Sequence, residues 1–118
     1  MDFQYIKNYC LNKKGVKETY PFDNITTVFK IGTKMFALTN GNNDPLSISL
    51  KCDPFLSQDL RREYKAIKPG YHLNKTHWIT VEIDGSVASE KILWLINLSY
   101  ELVYRSLNKS EKAILISM

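Results

Sequence analysis

The densest run of side chains able to grip a ligand is Ile67-Lys68-Pro69-Gly70-Tyr71-His72-Leu73-Asn74-Lys75-Thr76-His77-Trp78. It holds two ammonium groups, an amide, two imidazoles and two large aromatic rings. Nucleic-acid sites draw on these types: cations for phosphates, amides for base edges or sugar-phosphate, flat rings for stacking. The same residues also have structural uses. Pro69-Gly70 makes a turn, Tyr71 and Trp78 pack on a sheet edge, Asn74 caps loop backbone, and the histidines satisfy loop carbonyls. Residue types alone leave both readings open.

Charge narrows the choice. The chain carries a formal net charge of +4. Residues 61–77 hold five basic side chains (Arg61, Arg62, Lys65, Lys68 and Lys75) against the single acid Glu63, and the rest of the chain is balanced. A localised positive patch attracts polyanions. A solvated helix end and loop would show the same excess.

No catalytic centre is recognisable. The chain contains no P-loop, no dinucleotide-binding glycine pattern, no nucleophile elbow and no zinc-protease helix motif. His72 and His77 are five apart, the wrong spacing for two ligands on one helix face, with no acid or thiol between them. The carboxylates are scattered, and no pair stands out for acid–base work. The expectation is a non-enzymatic protein with no cofactor and no metal.

Length and composition set the frame for these residues. A chain of 118 residues, 44% hydrophobic and 24% charged, is expected to form one globular domain spanning 1–118 without a metal or disulfide staple. Its longest apolar run, Ile92-Leu93-Trp94-Leu95-Ile96, is far short of a membrane span, and residues 1–5 lack a signal-peptide pattern. A cytoplasmic monomer is expected. Cys10 and Cys52 form no CxxC pair and read as buried thiols.

The elements that must position the site follow from periodicity. Residues 2–13 read as a helix with Asp2 as cap and Gly15 as stop. Thr26–Ile31 and Lys34–Thr39 read as strands joined by the two-residue turn Gly32-Thr33. After the turn-forming run Asn40–Pro45, Leu46–Cys52 alternates, with Leu46, Ile48, Leu50 and Cys52 on one face and Ser47, Ser49 and Lys51 on the other. Asp53-Pro54 opens a helix to about Tyr64. Trp78–Ile83 is a further strand, and 87 to about 107 is the longest helix. A short turn is expected near 113–116. The order α-β-β-β-α-β-α predicts an α+β fold: an antiparallel sheet with helices packed on one face, a two-layer sandwich.

The run Pro69-Gly70-Tyr71-His72-Leu73-Asn74-Lys75-Thr76-His77-Trp78 resembles the signature of the MmcQ/YjbR family of small bacterial proteins. Other pieces match in order: Lys34-Met35-Phe36-Ala37-Leu38, Lys51-Cys52-Asp53-Pro54, Asp84-Gly85-Ser86-Val87 and Ser99-Tyr100-Glu101-Leu102-Val103. Two departures stand out, Gly70 where the family usually has alanine and Ala88 where it often has proline. Gly70 is expected to loosen the loop. The resemblance implies a frataxin-like α+β sandwich, similar also to the double-wing domain of a phage transcription factor. That likeness is why members are called DNA-binding proteins. It implies DNA contact through Lys68, Tyr71, His72, Asn74, Lys75, His77 and Trp78, to which the charge pattern adds Arg61, Arg62 and Lys65. An iron-binding role of the frataxin kind would need an acidic first helix, and this one carries Lys7, Lys13 and Lys14 beside Asp2.

DNA is thus the expected partner, with no membrane involved. Two other readings use the same loop. Tyr, Trp and Arg also dominate protein hot spots, so a protein partner fits. A small-molecule binder would instead need a closed apolar pocket behind Tyr71 and Trp78.

Overall fold

The computed structural model describes every residue, Met1–Met118. Six strands form one antiparallel sheet in the order β1-β2-β3-β4-β6-β5. They are β1 (Val16–Thr19), β2 (Thr27–Ile31), β3 (Lys34–Thr39), β4 (Ser47–Lys51), β5 (Ile67–Pro69) and β6 (Trp78–Glu82). Four helices accompany them: α1 (Phe3–Leu11), α2 (Pro54–Glu63), α3 (Ser89–Ser106) and α4 (Lys109–Ile116). All four contribute to one core, through Ile6 and Cys10, Leu60, Ile92 to Val103, and Leu115. The α+β sandwich is therefore as expected.

The element order is longer than expected by β1, β5 and α4. Strands β1 and β5 are the two edges of the sheet and are four and three residues long. Short edge strands, β5 ending in a proline, resist pairing with other chains but show too few residues for a period to emerge. The expected C-terminal turn is a two-turn helix, begun when the Asn108 side chain accepts from the Glu111 N–H at 2.8 Å. The Glu111 carboxylate in turn accepts from the Thr33 N–H at 3.2 Å and its hydroxyl at 3.1 Å, clamping α4 onto the β2–β3 hairpin. That hairpin turns through Gly32 at φ +60, a left-handed conformation that glycine tolerates.

Strand alternation sends Phe29, Ile31, Ala37, Ile48, Leu50, Ile79 and Val81 toward the helices. Between Phe29 and Lys30 the β2–β3 register slips, so that Phe36 is an extra residue in β3 and turns its ring inward against Tyr100, edge to face at 5.4 Å. A bulge leaves backbone groups unpaired. On the other side of β3, just past the end of its ladder with β4, Ser99 of α3 bridges the two strands: its hydroxyl donates to the Phe36 carbonyl at 2.5 Å and accepts from the Lys51 N–H at 2.9 Å.

The other sheet face has no helix over it. Val28, Leu38 and Trp78 form a small second core there, with Met35 and Leu73 packed against it. Leu73 belongs to the loop between β5 and β6, which folds back across the sheet. No helix is long and apolar enough to cross a membrane.

Candidate functional site

The uncovered face divides into two parts. Over one, the 70–77 loop seats Leu73 on Val28, Leu38 and Trp78. Over the other, a cleft of about 830 Å³ opens to solvent. Its floor includes Leu38, Ser47, Ser49 and Thr80, its walls Tyr71 and His72 on one side and Phe22 and Asp23 on another, and Lys68 and Glu82 lie along it. The volume falls within the range of small-ligand sites, but the lining mixes hydroxyls, charges and rings.

The loop wall is held by backbone bonds. The Tyr71 N–H donates to the Thr80 hydroxyl at 2.9 Å, and the Gly70 N–H to the Trp78 carbonyl at 2.9 Å. A Cβ on Gly70 would lie 2.6 Å from that of Trp78, so glycine here lets two strands approach closely rather than loosening the loop. The Asn74 side chain accepts from the N–H groups of Thr76 (2.9 Å) and His77 (3.1 Å). His72 has φ +58, the single non-glycine residue in the left-handed region. That conformation costs about 1–3 kcal/mol and persists only where its surroundings enforce it. Its ring lies 4.0 Å from that of Tyr71, centre to centre.

The floor carries a donor with a spare proton. Ser49 and Thr80 share one hydrogen bond at 2.8 Å, and the only further bond either makes is accepted by Thr80 from Tyr71. Two hydroxyls own two protons, and one such bond uses one of them. Whichever way the pair is oriented, one O–H remains free to donate. On the far wall, the N–H groups of Thr26 and Ile25 bond to the Asp23 carboxylate and hold it below its ordinary pKa.

Of the residues singled out in the sequence, Lys68, Tyr71 and His72 meet at the cleft. Lys68 is ion-paired there, its Nζ 2.6 Å from Glu82 Oε1. Trp78 is 8% exposed in the second core, which leaves no closed apolar pocket behind it and Tyr71, and no free face for stacking. Asn74 has its oxygen committed to the loop, and Lys75 donates to the Gly70 carbonyl at 3.2 Å. His77 is exposed, its backbone carbonyl accepting from the Cys52 N–H. Arg61, Arg62 and Lys65 lie on or just after α2, away from the cleft lining. Arg62 pairs with Asp59 at 3.1 Å and Arg61 donates to the Ser57 carbonyl.

A different set of cations emerges from the register. Lys17 lies opposite Lys30, Lys30 opposite Met35, and Lys51 opposite Trp78. Met35 and Trp78 belong to the uncovered face, so these three lysines form a row across it, none paired with a carboxylate. Charge counting along the chain missed them because nearby acids such as Glu18, which turns to the helix side to pair with Lys7 at 3.3 Å, balance them in sequence but not in space. The signal available was the wet face of the strand pattern, on which Lys51 already stood. No three His, Cys, Asp or Glu side chains converge anywhere in the chain.

Fold and site together describe a small α+β protein that covers one face of its sheet and leaves charged and polar groups on the other. The YjbR family model matches residues 11–102, and the chain belongs to the YjbR family. It is 30% identical to the uncharacterised protein YjbR of Escherichia coli strain K12 over 118 residues, the full length of both. It is 38% identical to the uncharacterised protein YbdF of Escherichia coli O157:H7 over 106 residues, 90% of this chain and 87% of that one. Among solved structures, the Deinococcus radiodurans protein DR2400, with its domain DUF419, superposes with a TM-score of 0.90 at 41% identity over 97% of this chain and 87% of that chain. A Pseudomonas syringae protein gives a TM-score of 0.75 at 32% identity over 86% and 98%.

Proposed function

We propose that this protein is a non-enzymatic DNA-binding protein that lays the phosphate backbone across the uncovered face of its sheet. The lysine row supports this reading most directly. Lys17 and Lys30 are direct cross-strand neighbours, and like charges so placed repel one another. With no carboxylate to relieve them, an anion is the natural counter-group. Lys51 extends the row beyond β3, and the 70–77 loop with Lys75 borders it. Tyr71 and Phe22, 70% and 64% exposed, offer rings on the walls of the cleft in the same face.

Anisotropy of a labelled DNA of ~20 nucleotides, single-stranded and duplex, at ~50 and ~200 mM salt tests the reading. Three phosphate contacts predict affinity about 15- to 40-fold weaker at the higher salt. Lys30→Ala/Lys51→Ala should flatten the log–log salt slope by about 1.4–1.8, while Arg61→Ala/Arg62→Ala should leave it unchanged. Absence of salt-dependent binding to either DNA by the folded protein would overturn the proposal.

A further inference from the structure

We propose that the cleft takes an unpaired nucleotide of single-stranded DNA, its base against the Tyr71 and His72 rings and its edge over the Ser49–Thr80 hydroxyl pair. This rests on the DNA reading above and names what that site would select. Three observations converge on it. First, Ser49 on the cleft floor stands two residues along β4 from Lys51 on the same sheet face, so a strand held by the row can send a base into the cleft. Second, Tyr71 and Phe22 are large, exposed rings on its walls, and base stacking on aromatics is tolerant of sequence. Third, the Ser49–Thr80 pair presents one free proton and spare lone pairs from a nearly buried position, each residue being 8% exposed. A base edge presents complementary donors and acceptors. The free O–H faces the open cleft, where an acceptor on a base edge can take its proton.

The charge of the cleft argues for a base rather than a bare phosphate. Lys68 is neutralised by Glu82, and Asp23 adds a further carboxylate. A free phosphate would be repelled there, whereas a neutral base would not. A duplex keeps its bases stacked and paired, so entry favours single strands or locally opened DNA.

The test compares two end-labelled oligonucleotides of equal length and phosphate number, one carrying bases throughout and one with abasic residues at its central positions. Wild type, Tyr71→Ala, Phe22→Ala and Lys30→Ala/Lys51→Ala are titrated with each, and thermal melting of every variant confirms the fold. The expected result is that the base-carrying strand binds about 5- to 150-fold more tightly, corresponding to one stacked base. Tyr71→Ala should erase most of that ratio, bringing the affinity of the base-carrying strand down toward that of the abasic one. The lysine variant should weaken both strands alike. Equal, lysine-dependent binding of both strands would overturn the base-in-cleft inference and leave the DNA reading intact. No binding of either strand would overturn both.

Discussion

Ser99 shows how a single buried hydroxyl can tie a helix to two neighbouring strands where their own ladder ends. It is fully buried on α3 and joins the Phe36 carbonyl of β3 to the Lys51 N–H of β4, groups just past the end of the β3–β4 ladder. Removing it leaves a buried acceptor and a half-buried donor unmatched, each costing about 1–3 kcal/mol. Ser99→Ala is therefore expected to lower unfolding free energy by about 3 kcal/mol, read from urea midpoints, while Ser110→Ala on the exposed surface changes it by less than about 0.5 kcal/mol. A Ser99→Ala protein as stable as wild type would mean that the Phe36 carbonyl and the Lys51 N–H find other partners without it. The pieces that carried the family resemblance in the sequence act in the same way. Asp53 caps α2 through the N–H groups of Phe55 and Leu56, both at 3.0 Å. Asp84 holds the turn before Val87 through the Ser86 N–H and hydroxyl. Asn74 ties the 70–77 loop. The motif is legible in sequence, but its Asn74 and Lys75 side chains serve the backbone, which residue types alone could not separate from ligand contact.

At the scale of elements, the 70–77 loop is a lid rather than a free arm. Leu73 is the only loop side chain packed against the second core, and Trp78 stays buried beneath the loop. Leu73→Ala should cost about 1–2 kcal/mol, less than a fully buried leucine because Leu73 is only half-buried. In a Trp94→Phe background, where Trp78 is the sole indole, its emission should shift to the red and quench more readily with acrylamide. An unchanged spectrum would mean the loop is held by its backbone bonds alone. The strands and helices with long periods were legible: α1 through α3 lie within two residues of their expected ends, as do β2, β3, β4 and β6. The missed elements had signals of other kinds. Helix α4 was announced by Asn108 and Glu111 in cap spacing. The edge strands β1 and β5 are too short for alternation and exist because β2 and β6 each offer an unpaired edge. The second core was hidden because Val28, Leu38 and Trp78 stand on strands whose uncovered face was expected to be wet.

Over the whole molecule, the site is a property of the sheet rather than of any one segment. Lys17, Lys30 and Lys51 come from three strands, and only pairing brings them into one row, so a count along the chain dispersed what folding gathers. The opposite, helix-covered face carries a different consequence of assembly: both thiols are free and buried in it. Burial pushes Cys10 up to about 12 from the ordinary 9.0, with Lys13 opposing in part. Burial likewise pushes Cys52 up to about 11, Asp53 raising it further and Arg61 opposing. The unfolded chain's thiols ionise near the ordinary value while the folded ones stay protonated. The folded state therefore keeps its full thiol contribution below the unfolded value and loses it as pH climbs toward the folded values. For Cys10 the loss amounts to about 1.4 kcal/mol per pH unit once its unfolded counterpart is ionised. Tyrosines and lysines also titrate in this window, but they are common to wild type and variant. Cys10→Ala should be less stable than wild type at neutral pH, from the lost packing of a fully buried side chain. Its deficit should then shrink by about that amount per unit above pH 9 in urea midpoints taken between neutral and alkaline pH. A deficit constant with pH would show that the thiol ionises as readily in the fold as outside it, and that water reaches the core between α1 and the sheet.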